Sequence, residues 1–138
     1  MISFNYETKF SLNDEVRLSK WVTSVINSEG FIEGEIDYIF CDDNYLLILN
    51  QQFLNHNTLT DIISFDYSVG RQINGEIYIS TERVKENSDK FRTNIFEELH
   101  RVMVHGILHF CGYKDKSKKE KELMRLKEDF YIDRLLNF

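Results

Sequence analysis

His105 and His109 stand four residues apart in the run His105-Gly106-Ile107-Leu108-His109-Phe110-Cys111-Gly112-Tyr113-Lys114-Asp115. On an α-helix that spacing puts both imidazoles on one face, about one turn apart. Two neutral imidazoles so placed can bind one metal ion, as they do in the HExxH motif. Gly112, three residues after His109, can end the helix in the left-handed conformation. The chain can then fold back, and Asp115 is the next side chain with metal-binding chemistry. Two imidazoles and a carboxylate leave a fourth tetrahedral position open, which is the mark of a catalytic rather than a structural zinc site.

The pattern H-x3-H-x5-D has the spacing of HxxxHxxGxxH with an aspartate in the last place. An HxxxH pair alone is common on amphipathic helices. The glycine and the aspartate at these intervals are what raise it to a candidate site.

The elements that must hold this run can be read from period and punctuation. Ile2 to Tyr6 alternates as a strand. Asn13 or Asp14 caps a helix with Leu18, Trp21, Val22, Val25 and Ile26 on its apolar face, ended by Gly30. Glu35 to Cys41 is a strand with Ile36, Tyr38 and Phe40 on one side. Asp42 or Asp43 caps a second helix that turns Leu46, Leu49 and Phe53 inward, and Asn55 to Thr58 is a polar loop. Thr60 to Phe65 and Glu76 to Ser80 are strand runs on either side of a turn, Ser68 to Asn74. Their spacing fits a hairpin or two separate strands. Ser80 or Thr81 opens a short polar helix, and Thr93 a longer one with Ile95, Phe96, Leu99, Val102 and Met103 inward, carrying both histidines. Ser117 and Glu120 form a capping box for a last helix whose buried face is Leu123, Leu126 or Met124, Phe130 and Leu135. About four strands and five helices in a mixed sheet make one α+β domain over residues 1–138, with the metal site on a central helix.

The 138 residues, 42% hydrophobic and 14% aromatic, suffice for one domain with a real core. The N-terminus has neither the basic start nor the apolar run of a signal peptide, and no stretch is apolar enough to span a membrane. Cys41 and Cys111 are too few for a disulfide framework, so a cytoplasmic protein with free thiols is expected. The net charge of −6 argues against a nucleic-acid partner, but its distribution argues otherwise. From Lys114 to Lys127 seven basic residues stand against three acidic ones, leaving 10 against 20 elsewhere. Either this stretch is a basic rim beside the metal, with Lys116, Lys118 and Lys119 nearest, or it is a solvated helix face with ion pairs four residues apart.

The run from His105 to Asp115 resembles the HGxLHxxGYDH signature of the YbeY-type endoribonucleases, bacterial rRNA maturation factors. Thr60-Asp61-Ile62-Ile63-Ser64-Phe65 is similar to that family's TDVLSF block, and Gly75-Glu76-Ile77-Tyr78-Ile79-Ser80 to its GDIxIS strand, in the same order along the whole chain. The resemblance implies a zinc-dependent, single-strand-specific endoribonuclease acting on rRNA of the small ribosomal subunit, at its 3′ end, and in ribosome quality control. Partners implied are that subunit, ribosomal proteins or an assembly GTPase, and no membrane. The metal ligands would be His105, His109 and Asp115. Two departures stand out. The signature ends Asp-His, whereas here it ends Lys114-Asp115; the added charge makes the metal a weaker Lewis acid and admits harder ions. The family's RNA-facing arginine has no counterpart after Asn50 and Phe53, where Leu54 stands; His56 or the basic run could substitute.

Gly106 occupies the place of the HExxH glutamate and cannot take a proton, so the zinc-peptidase mechanism lacks its base. A metal acting on a phosphodiester can instead stabilise charge on the phosphate or activate a water. Arg101 and Glu98, four and seven residues before His105, share the ligand face. Arg101 could steady a phosphate, or pair with Glu97. His100 points away, Cys111 is a buried thiol rather than a ligand, and Asp61 and Ser64 shape their strand or line the cleft. The competing readings are a metallopeptidase-like hydrolase with a carboxylate from elsewhere, and a non-catalytic ribosome-assembly factor whose metal only clamps the last loop.

Overall fold

The computed structural model describes residues 1–56 and 59–138. The chain runs β1 (Ile2–Tyr6), α1 (Glu15–Ser28), β2 (Ile32–Cys41), α2 (Asp43–Phe53), β3 (Ile62–Asp66), β4 (Gln72–Ser80), α3 (Thr81–Lys90), α4 (Ile95–Phe110) and α5 (Lys118–Leu135). The strands form one sheet in the order β1-β2-β4-β3. β1 and β4 flank β2 in parallel, and β3 closes the edge antiparallel to β4. This is the expected α+β domain with a mixed sheet. The choice left open by the sequence is settled as a hairpin, with Ile63 opposite Tyr78 and Phe65 opposite Glu76.

One face of the sheet carries the main core, where Ile36, Tyr38, Phe40, Ile77 and Ile79 meet α1 and α4. Two hydrogen bonds fix the depth of that packing: the buried Tyr38 hydroxyl donates to the Met103 carbonyl of α4 (2.9 Å), and Trp21 Nε1 donates to the Tyr131 carbonyl of α5 (2.8 Å). The other face holds a smaller cluster of Cys41, Leu46 and Ile63 under α2, so the central strand β2 is buried on both sides.

The end of α4 lies hard against β4. A Cβ at Gly75 would come within 2.5 Å of the Phe110 ring and 2.6 Å of the Phe65 carbonyl oxygen. Only glycine lets the residue that follows His109 sit there. Gly112 has φ +101°, the left-handed turn expected for it, and carries the chain back toward Asp115.

Several boundaries and faces differ from the sequence reading. β2 starts at Ile32 and β4 at Gln72, inside what reads as a turn. Asn94, not Thr93, caps α4, its side chain accepting from the Phe96 amide. Asp14 stands at the N-cap of α1, but its carboxylate pairs with Arg17 instead of capping. Phe53 is exposed rather than inward. The buried face of α5 is Met124, Glu128, Tyr131 and Leu135, while Leu123, Leu126 and Phe130 face solvent. The capping box of Ser117 and Glu120 is present. The polar loop at 55–58 falls partly, at 57 and 58, outside the described residues.

Glu29, just after α1, binds these parts together. It accepts from the Tyr113 hydroxyl (2.6 Å), the Tyr131 hydroxyl and the Lys127 ammonium (3.2 Å). Burial pushes its carboxyl up, but the two phenols and Lys127 outweigh burial and hold it below its ordinary 4.5. Because the folded value lies below the unfolded one, the contribution is complete above about pH 4.5 and fades as pH falls through the folded value. Glu29→Ala is expected to lower stability by about 2–3 kcal/mol at neutral pH. The gap in Tm between variant and wild type should narrow in acid; a gap that stays constant down to about pH 3 would contradict this account.

Candidate metal centre

α4 supplies both histidines from one face, and the turn after Gly112 supplies Asp115. His105 Nε2 and His109 Nε2 are 2.9 Å apart, and Asp115 Oδ2 is 3.1 Å from each. The outer ring nitrogens are taken. His109 Nδ1 donates to the Tyr113 carbonyl (2.9 Å), and His105 Nδ1 donates to Glu128 Oε2 (2.6 Å).

These partners decide where the protons sit. A carbonyl only accepts, so Nδ1 of His109 carries hydrogen; the carboxylate of Glu128 asks the same of His105. In the neutral imidazoles both Nε2 atoms then present lone pairs, to each other and to a carboxylate oxygen. Three acceptors converge with no donor between them, which a cation satisfies. The separations are close to the edges of about 3.3 Å that a tetrahedral zinc with bonds near 2.0 Å requires. The residues present therefore fit a metal ion, and among the described residues His105, His109 and Asp115 are the group that could hold one.

The cluster opens into a cavity of about 450 Å³ lined also by Thr60, Asp61, Ser64, Glu98, Arg101 and Glu128. Four carboxylates thus face one guanidinium. Burial pushes the carboxyls of Asp61 and Glu98 up. Burial works downward on His105, but the Glu128 carboxylate outweighs it and leaves the imidazole raised.

Arg101 does not pair with Glu97. Its Nη1 donates to Glu128 Oε1 (3.0 Å) and its Nη2 to Asp129 Oδ1 (2.7 Å). α5 packs along α4 and offers two carboxylates, whereas the helix-surface partner Glu97 lies toward solvent. His100 points away from the cavity as expected, edge-on to Trp21. Cys111 caps α4 and is half-buried. Asp61 and Ser64 line the cavity. Lys116, Lys118 and Lys119 are exposed just beyond Asp115, and His56 is exposed after α2. Among the described residues these lysines make no ion pair, while Lys127 pairs with Glu29 and Arg125 with Asp129.

Glu128 is the functional candidate that sequence reading missed. It is 23 residues from His105 and sits on what looks like the wrong face of its helix. Only the burial of a carboxylate four residues after Met124 marks it.

The architecture is thus an α+β domain that brings two helical histidines and a turn aspartate around one point. The comparison with known proteins is more specific. The family model described as Endoribonuclease YbeY matches residues 3–136, and the chain belongs to that family. It is similar to the Endoribonuclease YbeY of Flavobacterium psychrophilum, 64% identical over 129 residues, 94% of this chain and 92% of that one. The Flavobacterium johnsoniae protein of the same name is 60% identical over 94% of this chain and 93% of its own. A solution structure of a Thermotoga maritima protein, 28% identical, superposes with a TM-score of 0.74 over 99% of this chain and 90% of that one.

Proposed function

We propose that residues 1–138 form one zinc-dependent domain that cleaves single-stranded RNA, with His105, His109 and Asp115 as the metal ligands. Membership of the endoribonuclease family supports the reaction class. The observation that carries the metal is the convergence of His105 Nε2, His109 Nε2 and Asp115 Oδ2 at 2.9–3.1 Å, in a cavity whose carboxylates would repel a phosphate if no cation were present. When bound, the metal supplies positive charge for the scissile phosphate. The chain's own residues orient it: Glu128 and the Tyr113 carbonyl hold the two imidazoles with Nε2 inward. Arg101, committed to Glu128 and Asp129, is read as a brace for Glu128 rather than a phosphate ligand. The exposed Lys116, Lys118 and Lys119, with His56, are read as contacts to the RNA backbone in place of the arginine missing at Leu54.

The substrate is read as rRNA of the small ribosomal subunit, cleaved at its 3′ end in maturation and quality control, in the cytoplasm. Ribosomal proteins or an assembly GTPase would be the protein partners. The peptidase reading cannot take its base from the helix position that follows His105. A side chain at position 106 would point at Ile77 and Ile62, whose atoms lie 3.0–3.2 Å from an added Cβ, so a base cannot be supplied from there.

The test is cleavage of an end-labelled single-stranded oligoribonucleotide beside its duplex, with zinc restored or chelated. Cleavage of the single strand alone, abolished by chelation, is expected. Intact single strands with zinc bound would leave the assembly-factor reading. On the same oligoribonucleotide, replacing Lys116, Lys118 and Lys119 by Ala is expected to weaken binding about tenfold. The affinity of that variant should also fall less steeply with salt, the log–log slope dropping by about 0.7 for each lysine that neutralises a phosphate. An unchanged salt slope would remove these lysines from the interface.

A further inference from the structure

Glu98 is a largely buried carboxylate on the wall of the metal cavity. It is 8% exposed and lines the metal cavity, yet among the described residues its side chain meets no hydrogen-bond donor. Arg101, one turn away, is turned toward Glu128 and Asp129. The Glu98 oxygens keep contact with the open cavity, where the donors of a ligand can reach them. Seven residues separate Glu98 from His105, about 10 Å along the helix axis. Both side chains lean toward the helix N-terminus, so the offset is kept at their tips. That is too far for proton transfer at the metal and suits a group next along the RNA. Asp61 lines the same cavity, so a second phosphate is unwelcome there. A neutral group with adjacent N–H donors suits these carboxylates.

We infer that Glu98 reads a nucleobase, and that the base is guanine. The inference rests on the single-strand nuclease reading above. An ionised carboxylate only accepts, and it accepts through two oxygens side by side. The Watson–Crick edge of guanine presents two adjacent donors, N1–H and N2–H. Adenine and cytosine place a ring acceptor beside their amine, and uracil has one N–H between two carbonyls. Bases in single strands are free to offer this edge, which is where sequence-specific RNA recognition is made. The cavity, about 450 Å³, lies within the range of nucleotide-sized ligand sites. Guanine next to the scissile phosphate would meet both oxygens of Glu98 with donors.

The test begins with the four nucleoside 5′-monophosphates, titrated into metal-loaded full-length protein and followed by NMR or calorimetry. GMP is expected to bind about tenfold or more tightly than AMP, CMP and UMP. Glu98→Gln exchanges one acceptor for a donor and is expected to bring GMP and AMP within about twofold of each other. If that variant does not fold, Glu98→Asp withdraws the carboxylate by one methylene and is expected to shrink the same ratio. The second measurement is cleavage of a single-stranded oligoribonucleotide with one variable position. The rate ratio of guanine to adenine is expected to be about ten in the wild type and near one in Glu98→Gln. Equal affinity of the wild type for all four nucleotides overturns the inference whatever the variants do. So does a guanine preference that survives Glu98→Gln. Guanine selectivity that depends on Glu98, in a protein that cleaves no RNA, upholds the base pocket and overturns the nuclease reading. Cleavage without base preference does the reverse.

Discussion

His109→Ala is expected to take the metal content of the purified protein from near one equivalent per chain to background, and RNA cleavage down by on the order of a thousandfold or more. The size of the effect follows from the donor set. Removing one imidazole leaves one nitrogen and one carboxylate oxygen, too few to hold a catalytic ion against water. The loss is then compounded electrostatically, because Asp61, Glu98, Asp115 and Glu128 line the cavity with Arg101 as the cation among its lining residues. Without the metal a phosphate meets net negative charge. Asp115→Ala should weaken metal binding less, since both imidazoles remain. Asp115→His should bind zinc more tightly than the wild type, because it restores a neutral nitrogen where the family signature has one. His109 is partly exposed, so its truncation leaves no buried void and the Tm of the metal-free proteins should agree closely. Metal content by mass spectrometry decides the matter. Full stoichiometric zinc in His109→Ala would show that the ion is held elsewhere and would sink this centre.

How much of the molecule is legible in its sequence depends on how local each feature is. The histidine pair, Gly112 and Asp115 lie within eleven residues, and helical period plus one left-handed glycine brings them together. β1, β2 and α1 are readable because their apolar faces are regular: Leu18, Trp21, Val22, Val25 and Ile26 are all buried as expected. The hairpin is not readable, because the stretch between β3 and β4 carries no two-residue turn signal; Tyr67 and Asn74 pair across it in the structure. α5 misleads by hydrophobicity. Its buried face includes Glu128 and Tyr131, each admitted to the interior by a partner on another element, His105 and Arg101 for the first and Glu29 for the second. Leu123, Leu126 and Phe130 lose that face and lie in solvent. The same tertiary packing redirects Arg101 from Glu97 to α5. Long-range polar pairing leaves no period in a sequence, so the support of the site is invisible there while the two histidines and the aspartate that meet at its centre are plain.

That support makes the second large effect predictable. Glu128→Ala is expected to lower zinc affinity by about 10–100-fold, the usual loss when the group orienting a metal-binding histidine is removed. It should also lower stability by about 3 kcal/mol, because the half-buried Arg101 loses one of its two carboxylates. Glu128 is 5% exposed and bonded on both oxygens, so no water readily replaces it. Glu128→Gln tests the charge separately from the shape. An amide offers one acceptor where two donors, His105 Nδ1–H and the Arg101 guanidinium, must be met, so its NH2 is set against one of them. Gln should therefore lose nearly as much metal affinity as Ala. Arg101→Ala keeps the bond from Glu128 to His105, so it should destabilise the fold while reducing zinc affinity much less. Competition with a chromophoric chelator gives the affinities, and thermal melts of metal-free protein give the stability. If Glu128→Ala melts lower but binds zinc as the wild type does, the carboxylate holds α5 to α4 and nothing more. If the affinity falls in both Glu128 variants and is largely kept in Arg101→Ala, the orientation of His105 is what α5 contributes to the metal centre.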